Sequence, residues 1–466
     1  MNSLAARDAS VYWLSARTRN DLFLLYCFAD AGQPTDRLRA AIANRVIDIP
    51  DLLVHVLETP ANIAYPIWAH CEFTAEQFAE HELAEPTWGA LTTALEALLN
   101  TGIRAEHRAW RLHLFRGITG APGFAPGEPA LVAILQLSHA LADGRRAAEL
   151  ARALFSETPP SSSRHAFSRD PHTSEPCRFR LKACRNDGRV AAALELPRLP
   201  IRMARTVIRG LAAARAQQEL ADLTASGAVP PPSPGVVPNL LAGDGKLPTG
   251  HSVRMLVRDA NELRVPGHTV TVVALTAISL AMQRYLTRRG EPCEDARAQV
   301  PMAVAATHGT RNSYRDLSVD LCFGEPDPRA RAAAIAADLA LRAERAKHPL
   351  QEAQSRVTAA LPAPILHRDV THLPIEALPE RVSGHTVVSS VHRGPADLTF
   401  GGGAVRFTAG FPAIGSVMHL THGIHGLGDT VTLSLHADPA VVPDLDAYAA
   451  LLDAALRETA TALNRA

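Results

Sequence analysis

A run of apolar residues, Leu131-Val132-Ala133-Ile134-Leu135-Gln136-Leu137, leads directly into Ser138-His139-Ala140-Leu141-Ala142-Asp143-Gly144. The run has the length and composition of a buried strand. The alanine-rich stretch Arg145 to Phe155 that follows has helical spacing. A buried strand that stops at a tight turn and feeds a helix is the elementary step of an α/β protein. This junction therefore constrains the fold more than any other stretch of the chain.

The same junction carries ionisable groups. Histidine titrates near neutrality, so His139 is a candidate to take a proton from a hydroxyl and return it later. Asp143, four residues on, is expected to hold the His139 loop by hydrogen bonds, to pair with an arginine elsewhere, or to cap the next helix. Gly144 is expected to permit a backbone bend that a side chain would resist. The bland reading of the same residues is a turn histidine beside a helix cap.

Three parts follow from composition shifts. Residues 1–155 mix short apolar runs with helical patterns. Asp21–Phe28 and Trp110–Phe115 are expected as strands, and Thr87–Leu99 as a helix. Residues 156–240 begin with linker-like Glu157-Thr158-Pro159-Pro160-Ser161-Ser162-Ser163 and end near Pro230-Pro231-Pro232-Ser233-Pro234-Gly235. Between these breaks lies an arginine-rich segment. Arg198, Arg202, Arg205 and Arg209 recur at helical spacing, with Met203, Val207 and Leu211 opposite. The expected helix packs its apolar stripe on the protein and leaves its arginines in water. The alternative is an interfacial helix lying on anionic lipid. Residues 241–466 open with a strand, His251–Val257, then an apolar helix, Val270–Arg289, that stops at Gly290. A hairpin around Gly401-Gly402-Gly403, a strand at Val431–Leu435 and a C-terminal helix, Asp444–Leu463, complete the part.

Composition excludes several classes. The formal net charge is zero, so no global basic field favours nucleic acid. Six cysteines with no Cys-x-x-Cys pair argue against a disulfide framework or structural zinc. No signal-type apolar core stands near Arg7, Asp8, Arg17 and Arg19, and the apolar run Val272–Met282 is short for a bilayer. A cytoplasmic protein is expected. His419, His422 and His425 with Asp429 invite a zinc reading, but their spacing fits no closed site, and loop or pocket histidines are expected instead. No dinucleotide fingerprint, phosphate loop or nucleophile elbow is present.

Ser138–Gly144 resembles the His-His-x-x-x-Asp-Gly motif of the bacterial wax ester synthase/diacylglycerol acyltransferase family. Leu4–Leu14, around Asp8-Ala9, is similar to that family's opening segment. His107–His113 resembles its Arg-Pro-Leu-Trp strand through Trp110, and Ala298–Val304 its Val-Pro strand. Ser389–Pro395 sits where the family has Ser-Asn-Val-Pro-Gly-Pro. Three positions depart from the pattern. Ser138 replaces the first motif histidine, Thr271-Val272 replaces an Asn-Asp pair, and His392-Arg393 interrupts the last element.

The resemblance implies a two-lobed, chloramphenicol-acetyltransferase-like α/β fold with a channel between the lobes. It implies acyl transfer from acyl-CoA, as co-substrate, to a lipid alcohol such as diacylglycerol or a long-chain alcohol, with no bound cofactor or metal. His139 would be the base, Asp143 and Gly144 would shape its loop, and Ser138 could donate a hydrogen bond. Contact with a membrane or lipid-droplet surface is the alternative that goes with an interfacial helix, and nucleic acid is not expected as a partner. The departures keep two alternatives open: a lipid-binding relative without turnover, and an acyltransferase of the same fold that uses another acceptor.

Overall fold

The structure is a computed structural model that describes residues 2–156, 188–305 and 309–464. The linker expected at 157–163, the basic positions 178–187, and Cys177 and Cys184 lie outside the described residues.

Two six-stranded mixed sheets form the frame. The first has the order Thr399–Phe400, Gly403–Gly410, Leu22–Ala29, Ala130–Leu137, Trp110–Ile118, Phe78–His81. The second has the order Tyr314–Asp320, Arg297–Ala303, Thr386–His392, Leu420–Leu427, Thr430–Ala437, Ser252–Asp259. All eight residues of Ala130–Leu137 are buried, as expected of a central strand covered on both faces. One face meets the helix Gly144–Phe155 and the other the helix Trp88–Leu99. Thr87 caps that second helix, where the sequence placed its start.

The second sheet is built around Val270–Arg288. This helix is long and apolar enough to cross a bilayer, yet 72% of its most apolar window is buried inside the protein. It packs against the sheet and the C-terminal helix Leu445–Asn464 and serves as a core element.

The hairpin at Gly401-Gly402-Gly403 forms as expected, but not on its own half's sheet. Its long strand pairs antiparallel with Leu22–Ala29, in the register Thr408 to Tyr26 and Gly410 to Leu24. The second half of the chain thus completes the sheet of the first.

The segment 230–236 is an ordered strap. Arg342 and Arg345 donate to the carbonyls of Pro231 and Pro230, and Val236 bridges to Val382. The helix Leu199–Ala225 is also present, but its faces are reversed from expectation. Arg202 pairs with Glu195 at 2.7 Å, Thr206 donates to Ala360 O, and Arg209 donates to Arg356 O. With Ala213, Ala216 and Leu220, these residues form the inward face. Met203, Val207 and Leu211 point away from the protein, joined by Ile201 and Ile208. The inward side is met by carbonyls and a carboxylate, which guanidinium and hydroxyl donors satisfy and apolar side chains cannot.

Candidate active site

The buried strand ends at Leu137, and the chain turns through residues 138–143 before the helix begins. Two backbone hydrogen bonds set the turn: Ser138 N–H donates to Ala109 O, and Leu141 N–H donates to Ser138 O. From residue 130 to 143 every residue is buried except His139, which keeps partial access to solvent. The imidazole Nδ1 is buried and has no hydrogen-bond partner among the described residues. Burial lowers the His139 pKa from its ordinary 6.5. Backbone and Asn312 hydrogen bonding and the charge of Asp143 act the other way, and Arg7 adds to the lowering. The ring is accordingly neutral at pH 7, which is the form a general base needs.

Asp143 is an anchor. Its Oδ1 accepts from Arg146 N–H at 2.9 Å, capping the helix, and its Oδ2 accepts from Ser313 N–H at 2.9 Å. The two oxygens therefore tie the motif turn to the start of a strand in the other sheet. Of the three roles expected for Asp143, the cap and the loop clamp are realised, and among the described residues it makes no ion pair with an arginine. Ser138 is buried, and its hydroxyl makes no hydrogen bond to His139 among the described residues. Gly144 does not act as expected. It is the first residue of the helix with no positive φ, and an added Cβ would lie 3.6 Å from Val391 Cγ2, an ordinary contact. No bend requires glycine there, because the cap at Asp143 already sets the change of direction.

A second clamp was not assigned from sequence. Asp8, fully buried on the first helix, accepts from Arg311 N–H at 2.9 Å, Asn312 N–H at 3.0 Å and Asn312 Nδ2 at 3.0 Å. Asn312 Nδ2 also donates to His139 O at 2.8 Å. The loop bearing the histidine is thus held from below by Asp143 and from the side by the Asp8–Asn312 pair. Asp8-Ala9 was visible as a motif, but only the fold shows what it binds.

The altered motif positions converge near the same turn. Thr271, in the first turn of the long core helix, shares a hydrogen bond with Ser390 at 2.9 Å. Ser390 is the neighbour of Val391, which faces Gly144. Trp110 is fully buried and donates through Nε1 to Leu52 O at 2.7 Å, a structural role. Arg393 is buried over the Tyr26 ring, donates to Ala409 O at 2.9 Å, and sits between the two sheets.

The three glycine-spaced histidines do not form a site. His422 and His425 lie three apart on one strand, so they point to opposite faces. His422 bonds Thr386 and Tyr448, and His419 bonds Asp438. Among the described residues no cluster could hold a metal ion. His419 lies just before the strand Leu420–Leu427, whereas His422 and His425 are buried strand residues rather than loop residues.

Residues 4–238 match the family described as wax ester synthase/diacylglycerol acyltransferase catalytic domain, and residues 312–460 match the C-terminal domain of the same family. The chain belongs to the wax ester synthase/diacylglycerol acyltransferase family. It is an acyl-CoA-dependent acyltransferase by family. No curated protein sequence matches the chain. Among solved structures, it is similar to the wax ester synthase/diacylglycerol acyltransferase from Marinobacter aquaeolei VT8, with a TM-score of 0.62, 17% identity, and 98% of each chain covered. It is also similar to the starter condensation domain of rhizomide synthetase in complex with C8-CoA and Leu-SNAC, with a TM-score of 0.55, 14% identity, and 99% and 94% of the two chains covered. At these identities the likeness is one of fold, and it bears out the two-lobed acyltransferase architecture.

Proposed function

We propose that this acyltransferase moves a fatty acyl group from acyl-CoA to the hydroxyl of a lipid alcohol, with His139 as the general base. The observation that carries this reading is the isolation of His139. It alone keeps solvent access in a buried fourteen-residue stretch, residues 130–143, and it is pinned from two directions. His139 Nε2 takes the proton of the acceptor hydroxyl as the oxygen attacks the thioester carbonyl. The tetrahedral adduct collapses, the C–S bond breaks, and the imidazolium returns the proton to the CoA thiolate. Ester and free CoA leave. Asp143, Asp8 and Asn312 hold the ring in place, and fixing the base in this way is worth more than its intrinsic strength. Ser138 and Gly144 shape the turn and take no part in proton transfer. A C8-CoA complex of the condensation-domain neighbour supports acyl-CoA as the donor, and the family supports a lipid acceptor.

We also place the enzyme in the cytoplasm with one side against lipid. The outward face of the helix 199–225 supports this placement. Ile201, Val207, Ile208 and Leu211 are 55–65% exposed, and Arg198 and Arg205 flank them. An exposed apolar stripe edged by arginine suits an anionic lipid surface, where water-insoluble acceptors reside.

The test is release of free CoA from palmitoyl-CoA in the presence of dipalmitoylglycerol or hexadecanol, with His139→Ala alongside. Acceptor-dependent release that vanishes in the variant is expected. Equal release from both proteins would remove His139 from the reaction.

A further inference from the structure

Beside His139 stands a group of side chains that proton transfer does not use. The Tyr314 ring centre lies 6.1 Å from that of His139. The Arg7 guanidinium sits over the other side of that wall, 4.2 Å from the Tyr314 ring centre. Tyr314 and Asp316 alternate on the strand Tyr314–Asp320, so both face the way Tyr314 does. The intervening Arg315 turns to the opposite face and reaches Ala346 O. Leu317 shares that opposite face and joins the core.

Asp316 has no hydrogen bond and no ion pair within 4.0 Å among the described residues, and its surface is open to water. Yet burial by the surrounding protein raises its carboxyl above the ordinary value, with Arg7 and His139 acting the other way. Asp316 thus stands on the Tyr314 face, beside the His139 ring and the Arg7 guanidinium, as an acceptor that no side chain engages among the described residues.

We propose that Asp316, with Arg7 and Tyr314, forms a polar subsite next to His139 that selects acceptors bearing a further free hydroxyl beside the one that reacts. Asp316 accepts a hydrogen bond from that second hydroxyl. Arg7 donates to an oxygen of the same head group, and Tyr314 spaces the two from the base. A plain long-chain alcohol offers Asp316 no donor, and a diacylglycerol offers no hydroxyl beyond the reacting one. A monoacylglycerol or another lipid polyol supplies both. A site built to meet a hydroxyl discriminates strongly against analogues that lack it, because its own polar group is then left unpaired. The inference rests on the acyltransferase reading above and names the acceptor class within it.

The experiment compares kcat/KM for 1-monopalmitoylglycerol, 1,2-dipalmitoylglycerol and hexadecanol, with palmitoyl-CoA as donor, in the full chain and in Asp316→Ala and Asp316→Asn. Wild type should prefer monopalmitoylglycerol over hexadecanol. Asp316→Ala should shrink that ratio by at least about tenfold, the loss of a hydrogen bond to a charged group. Asp316→Asn retains an acceptor oxygen and should restore part of the ratio, which a purely structural role would not do. The same ratio in all three proteins would overturn the subsite while leaving the acyltransferase intact. CoA release with no acceptor at all would sink the lipid-alcohol reading, and the subsite with it.

Discussion

Replacing Asp143 with alanine tests the claim that this carboxylate is an anchor between the two halves. The side chain makes two hydrogen bonds, both to backbone N–H groups, and both would be lost. Losing a helix N-cap costs about 1 kcal/mol. Leaving the buried Ser313 N–H without an acceptor costs about 1–3 kcal/mol more. The total is about 2–4 kcal/mol. Unfolding entropy of about 2.1 cal/mol/K per residue amounts, over 466 residues, to about 1 kcal/mol per degree. Tm should therefore fall by roughly 2–4 °C. Turnover should fall as well, because Ser313 adjoins Asn312, which holds the His139 carbonyl. Differential scanning calorimetry and CoA release measure the two effects on one sample. Asp143→Asn keeps one acceptor oxygen but turns an amide N–H₂ toward a second donor, so it should recover about half of the loss in Tm. An alanine variant that melts within about 1 °C of wild type and turns over at the wild-type rate would refute the clamp.

Further outcomes follow from the same geometry. His139→Ala should lower kcat by roughly 10²–10⁴-fold, the range for a lost general base, while circular dichroism and Tm stay close to wild type. Because burial lowers the His139 pKa from 6.5, the neutral base persists above that value, so kcat/KM should be flat from neutral pH down to about 6.5 and fall only below it. A midpoint above 6.5 in the pH profile would contradict a buried base. Asn312→Ala removes the bonds to Asp8 and to the His139 carbonyl and should reduce kcat more than it raises KM, as steady-state kinetics would show. Val207→Glu with Leu211→Glu places carboxylates on the outward helix face and should abolish sedimentation with phosphatidylglycerol vesicles without changing Tm; unchanged sedimentation would exclude that face as the lipid contact.

Where the sequence was informative, the signal was local. The run 131–137 could only be a covered strand, and a histidine at its end had to sit at a sheet edge where a cleft can form. Asp143 as a cap was legible because capping is a contact three residues long. The partners that finish the site were not legible. Asp8 and Asn312 are 304 positions apart, and their bond depends on how the two sheets meet. Periodicity showed that the helix 199–225 has two faces but not which one looks inward, because that depends on the carbonyls of residues 356 and 360. The expectation of loop or pocket histidines fails at His422 and His425, which are buried on the strand Leu420–Leu427, because neighbouring glycines do not break a strand whose backbone others approach closely. On this strand, Gly423 is instead needed to admit the approach of Gly410, since a Cβ there would lie 2.4 Å from the Gly410 carbonyl oxygen.

The hairpin at 399–410 has a consequence for how the protein comes into being. The strand Leu22–Ala29 is apolar and eight residues long, and its outer edge is covered only by Gly403–Gly410. During synthesis that edge stays open until almost four hundred further residues have emerged. A naked apolar edge of this length invites pairing with other chains. Expression of residues 1–240 alone should accordingly give aggregated material rather than a free lobe. In the finished molecule Gly403–Gly410, contributed by the second half of the chain, is what closes that edge, so the first sheet is complete only once the whole chain is present.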